Sequence, residues 1–109
     1  MIDAIKSVSP GWLKEAPALV VMCINKNRET NWSHIDLGAA MQNILLCAHT
    51  AGLGCCALGS FVVKTVVELL EIPPHLKPIL FIVVGSPDEK PEATTRLPTE
   101  ELVYRKVGN

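Results

Sequence analysis

The sequence predicts an α+β domain, and three features carry that expectation. Residues 16–24 and 79–84 are continuous apolar runs rich in β-branched side chains, the pattern of strands covered on both faces. Between them, residues 35–51 place Leu37, Ala40, Met41, Ile44, Leu45 and Ala48 at three- and four-residue spacing, the stripe of a helix. The reverse side of that helix is bland as well, with Ala39, Leu46 and Cys47 beside Gln42 and Asn43. It is therefore expected to be buried nearly all round, and at about 25 Å long it needs neighbours on two sides.

The elements follow in order. Residues 1–15 mix charges with Pro10 and Gly11 and read as a short helical piece, a turn and an approach segment carrying Trp12 and Leu13. In the first strand Pro17 sits near the start, where no amide donor is needed, and Asn25-Lys26-Asn27 ends the run. Asp36 or Ser33 would cap the long helix, and Gly52-Leu53-Gly54 closes it, since glycine tolerates the left-handed conformation of a helix end. Residues 55–58 read as a short buried strand and Gly59-Ser60 as a turn. Residues 62–70 form a second helix with Val63, Val66, Val67 and Leu70 inward, stopped by Pro73-Pro74. Gly85-Ser86-Pro87 ends the strand at residues 79–84. A polar, proline-bearing connection follows at 88–95, and Leu102-Val103-Tyr104 has the composition of a terminal strand.

Composition narrows the function. With 109 residues the chain makes a single domain, 1–109, able to bury roughly two-thirds of its unfolded surface. Half of it is apolar (49%), a bias suited to a subunit with a large apolar contact. Ten basic residues offset eleven acidic ones, and the three arginines Arg28, Arg96 and Arg105 lie far apart, so no nucleic-acid surface is expected. The apolar runs fall short of the ~20 residues a membrane helix needs, and the first residues, with Asp3, lack a signal-peptide pattern. A cytoplasmic protein is expected.

No catalytic trio, phosphate loop or paired carboxylates stand out, and no residue is assigned a catalytic role. Cys23, Cys47, Cys55 and Cys56 lie in apolar segments without histidines at ligand spacing, so they read as reduced core residues rather than metal ligands. Adjacent strand residues such as Cys55 and Cys56 point to opposite faces. His49 adds favourable charge at the negative end of its helix, while His34 and His75 fall in loops.

Read in order, Asp36-Leu-Gly-Ala-Ala-Met-Gln-Asn-Ile-Leu-Leu-Cys-Ala-His-Thr-Ala-Gly-Leu-Gly54 resembles the central helix of the nitroreductase family, followed by Ala57-Leu-Gly-Ser-Phe61. Glu68-Leu-Leu-Glu-Ile-Pro-Pro-His-Leu-Lys-Pro78, Gly85-Ser-Pro87, Lys90-Pro91 and Arg96-Leu-Pro98 resemble that family's C-terminal third. The resemblance implies a mostly antiparallel central sheet with a long buried helix at a homodimer interface. It further implies FMN held at that interface and NAD(P)H reducing a nitro- or quinone-like acceptor. Leu58, Gly59 and Ser60 match the positions whose amides meet the polar edge of the flavin ring. Arg96 matches an arginine that reaches the FMN phosphate, with Lys90 in support. Gln42 and Asn43 need hydrogen-bond partners if buried, across a dimer or from helix to sheet, or from a flavin or its ribityl chain. The arginine- and serine-rich flavin-phosphate segment of the family is absent, so an incomplete, C-terminal version of the fold is expected, with a second chain as one source of the rest. The alternative is a non-catalytic homologue acting as a dimeric structural or regulatory module.

Overall fold

The strand expected at 79–84 is the middle of a three-stranded antiparallel sheet in a computed structural model that describes residues 15–108. This strand, β3 (Leu76–Gly85), lies between β1 (Ala18–Asn25) and β2 (Gly54–Leu58). A central position explains its unbroken apolar sequence, because β3 is flanked on both edges while its two faces are covered by helices. The expected helical piece, turn and approach segment at the N-terminus lie outside the described residues.

Register assigns the faces. Phe81 stands opposite Val21 on β1 and Leu58 on β2, while Ile82 stands opposite Val20 and Ala57, so the two sets point to opposite sides. Phe81 and Ile82 are both fully buried. The Phe81 side is closed by the short helix α2 (Val63–Leu69), whose Val66 meets Phe81 at the centre of a cluster with Leu19, Val21, Leu58, Phe61, Leu69, Leu70 and Ile72. The expected inward stripe of this helix is thus corrected at Val63, which is 47% exposed.

The other side belongs to the long helix α1 (Ser33–Thr50), which runs across the sheet and touches both β1 and β2. Its inner stripe holds buried Leu37 and half-buried Met41, Ile44, Leu45 and Ala48, as the spacing predicted, whereas Ala40 is exposed. The outer side is open in the single chain: Ile35 is 61% exposed and Leu46 55%. Gln42 and Asn43 lie on exposed positions, as does His34, which is in the helix and not in a loop.

The helix starts earlier than expected, and neither Ser33 nor Asp36 caps it in the expected manner. Thr30 Oγ1 accepts from the Trp32 amide at 3.2 Å and Ser33 Oγ accepts from the Thr30 amide at 2.9 Å. These two bonds satisfy the Trp32 and Thr30 amides in the turn that leads into the helix. At the far end Gly52 (φ 76) takes the left-handed conformation, and the amides of Gly52 and Leu53 reach His49 and Ala48 carbonyls, a Schellman closure. Lys77 Nζ and Glu29 Oε1, 2.9 Å apart, pin the loop before α1 to β3, and that hydrogen bond holds the Glu29 carboxyl below its ordinary value.

After α2 the chain closes in the same way, but with Glu71 (φ 50) in the left-handed position; the Ile72 amide bonds to the Val67 carbonyl at 3.0 Å. A side chain there costs about 1–2 kcal/mol, part of which glycine's greater unfolded-state freedom would take back. Glu71→Gly is therefore expected to stabilise the protein by about 0.5–1 kcal/mol, seen as a raised urea midpoint at unchanged slope. An unchanged or lowered midpoint would contradict this.

Residues 86–98 are exposed and without regular structure, as the polar composition predicted. The terminal strand expected at 102–104 is not formed. Instead α3 (Thr99–Leu102) makes a single helical turn after Pro98, and Val103 and Tyr104 are exposed beyond it.

Candidate functional site

The end of β2 presents an exposed backbone turn between two half-buried anchors. Leu58 is paired with Phe81 in the ladder and sends its side chain into the Val66–Phe81 cluster. Phe61 returns to the same cluster, its ring 4.6 Å from that of Phe81 at 61°, an edge-on aromatic contact. Gly59 and Ser60, between the anchors, are exposed. Among the described residues neither of their amides has an acceptor, so both remain available as donors.

Gly59 is not explained by the chain itself. Gly52 is the only described glycine at positive φ, so the backbone at Gly59 does not demand a glycine. A Cβ built there would meet nothing within 4 Å. Close internal approach is the second usual reason for a glycine, and it applies elsewhere, at Gly85, where a Cβ would stand 3.0 Å from the Pro17 ring. Gly38 and Gly108 share both properties, and what sets Gly59 apart is its exposed place in the turn between Leu58 and Phe61.

Arg96 makes its hydrogen bonds within its own loop. Its guanidinium Nη1 donates to the carbonyls of Thr94 at 3.2 Å and Thr95 at 3.4 Å and to the Thr94 hydroxyl, all within its own exposed loop. The structure thus brings Leu58, Gly59 and Ser60 together but gives Arg96 no bond to them. Lys90 borders a cleft of about 680 Å³ with Leu45, His49, Leu53, Cys55 and Glu89, at the opposite end of β2. A second cleft of about 660 Å³ at the same end is bordered by Cys55, Cys56, Val83, Asp88 and Glu89.

The four cysteines are free thiols, but their placement departs from the expectation of a common core. Cys47 and Cys56 are exposed and Cys23 and Cys55 half-buried, with burial pushing the Cys23 thiol up. Among the described residues no group of three or more His, Cys, Asp or Glu could hold a metal ion, and no helix is long and apolar enough to cross a membrane. Phe61 was not singled out from the sequence; the available signal was an aromatic residue directly after the Gly59-Ser60 turn.

The sequence signature described as "Nitroreductase family" matches residues 4–86. A provisionally assigned NADH dehydrogenase/NAD(P)H nitroreductase of Methanothermobacter thermautotrophicus is 35% identical over 100 residues, covering 84% of this chain and 52% of that protein. An FMN reductase (NADPH) of Bacillus subtilis is 32% identical over 79 residues, covering 71% of this chain and 32% of the relative. Among solved structures, a provisionally assigned NADH dehydrogenase/NAD(P)H nitroreductase from Parabacteroides distasonis superposes with a TM-score of 0.82 at 27% identity, over 94% of this chain and 65% of that one. The chain belongs to the nitroreductase family and has a nitroreductase-like α+β fold. It spans about half or less of the length of these two sequence relatives.

Proposed function

We propose that this chain forms part of an FMN-dependent oxidoreductase of the nitroreductase type, in which NAD(P)H reduces a nitro- or quinone-like acceptor. The observation that carries the reading is Gly59: an exposed glycine required by neither conformation nor internal packing, whose amide and that of Ser60 have no acceptor among the described residues, in a family whose members include FMN reductases. FMN, when bound, supplies the hydride chemistry, and the protein supplies position and electrostatics. The amides of Leu58, Gly59 and Ser60 donate to the polar edge of the flavin ring, where a missing Cβ lets a flat ring approach. Arg96 takes the phosphate by exchanging neutral acceptors in its own loop for a charged one, a favourable trade for a guanidinium. The open side of α1 is covered by a second copy of the chain, in a cytoplasmic homodimer, and another chain is a source of further flavin contacts.

Gly59→Ala tests this directly. The fold should be unaffected, because the added methyl has open space around it. FMN affinity, measured by quenching of flavin fluorescence, should fall about tenfold or more, since a methyl forced into a packed contact costs typically 1–3 kcal/mol. Equal affinity in the variant would overturn the assignment. Wild-type protein that is colourless and refuses added FMN would instead favour a non-catalytic dimeric module.

A further inference from the structure

We infer that Phe61 is a positioning residue for the flavin, acting through the Gly59–Ser60 turn and not by contact. The inference rests on the flavin reading of that turn. Its basis is an asymmetry between the two anchors. Leu58 is held twice, by its side chain in the core and by its place in the β2–β3 ladder. Loss of its side chain would leave its backbone in the sheet. Phe61 lies outside the ladder, and among the described residues neither its amide nor its carbonyl takes part in a backbone hydrogen bond. Its hold is the ring, set edge-on against Phe81 at 4.6 Å and packed in the Val66–Phe81 cluster.

Gly59 and Ser60 have no amide acceptor of their own among the described residues, so their direction is set by what flanks them. Phe81 is fully buried in the central strand and Val66 fully buried in α2, so the Phe61 ring packs on the close-packed core of the domain. Ring packing of one residue therefore fixes where two exposed donors point. Donor direction matters because a misplacement of about 1 Å can cost on the order of a hundredfold in a site built on geometry.

The test compares Phe61→Ala with Leu69→Ala, which removes apolar contact from the same cluster away from the turn. In flavin-free protein the backbone ¹⁵N order parameters of Gly59 and Ser60 should drop in Phe61→Ala from about 0.85 to below about 0.6, and stay high in Leu69→Ala. With FMN added, Phe61→Ala should bind at least about tenfold more weakly and show an altered visible flavin band, whereas Leu69→Ala should match wild type. Phe61→Tyr, which keeps the ring, should restore both readouts, and it carries the comparison with Phe61→Leu if the alanine variant does not fold. Equal turn order and equal affinity in Phe61→Ala (or Phe61→Leu in its place) and Leu69→Ala would overturn the positioning role even if the wild type is yellow. If Gly59→Ala leaves FMN affinity untouched, the flavin reading itself has failed. Wild-type protein without FMN affinity removes the positioning role with it.

Discussion

Phe81→Ala is expected to cost about 3–5 kcal/mol of stability. Deleting a buried phenylalanine loses its transfer free energy and leaves a cavity that a sheet can only partly close. Phe81 is fully buried in the strand that pairs with both others, and its ring also serves as the partner of Phe61. The edge-on pair adds about 0.5–1.5 kcal/mol beyond area burial. Native domains are stable by about 5–15 kcal/mol, so the loss takes a large share. Among the described residues the fully or nearly buried apolar set is small: Ile24, Leu37, Val66, Phe81, Ile82 and Val83. Few others can compensate. Circular dichroism melts at matched protein concentration should place the variant's midpoint at least about 10–20 °C lower, at roughly 4–8 °C per kcal/mol for a domain near this size. Phe81→Leu should cost less than half as much. A loss below about 1 kcal/mol in Phe81→Ala would mean that the cluster around Val66 is not the stabilising core.

The dominance of β3 was readable because a central strand advertises itself: residues 79–84 are all apolar, with no polar alternation to mark a solvent face. The inner stripe of α1 was readable for the same kind of reason, since periodicity survives without tertiary information. What depended on neighbours was less legible. Leu102, Val103 and Tyr104 favour strands by composition, yet no strand edge pairs with them, and the Thr99-Glu100-Glu101 turn after Pro98 prevails locally. The start of α1 was less legible because no side chain caps it; Thr30 and Ser33 instead satisfy the Trp32 and Thr30 amides in the turn ahead of the helix. Cys47 and Cys56 have core composition but sit on surfaces that this single chain leaves open. At the candidate site the family stretch located the turn at Leu58, Gly59 and Ser60. Its two-anchor construction came only from the structure, because the contact of Phe61 with Phe81 spans twenty positions that sequence spacing does not connect. Arg96 was named by resemblance, and its bonds to Thr94 and Thr95 show a loop arginine satisfied locally.

In the proposed homodimer, Leu46→Arg is expected to give monomers while leaving the fold of each chain intact. Ile35, Ala39, Gln42 and Leu46 follow at spacings of four, three and four, one line along α1 that faces away from Leu37 and the sheet. All four are exposed, with Ile35 at 61% and Leu46 at 55%, and Trp32 (67%) and Leu53 (40%) extend the apolar surface at the two ends. In the proposed homodimer this face of α1 is the association surface. If a second copy covers it through a two-fold axis, every substitution enters the interface twice, once from each side. An arginine at position 46 would then place two like charges in a desolvated patch without partners, at several kcal/mol per pair. Association should weaken by about a thousandfold or more, while the far-UV spectrum of the monomer stays unchanged because Leu46 makes little of its own chain's core. Lys64→Glu, a charge reversal on exposed α2, should leave association as in wild type. Sedimentation velocity across a concentration series reads the outcome. A wild type that stays monomeric at high micromolar concentration, or a Leu46→Arg dimer as tight as wild type, would remove α1 from the interface.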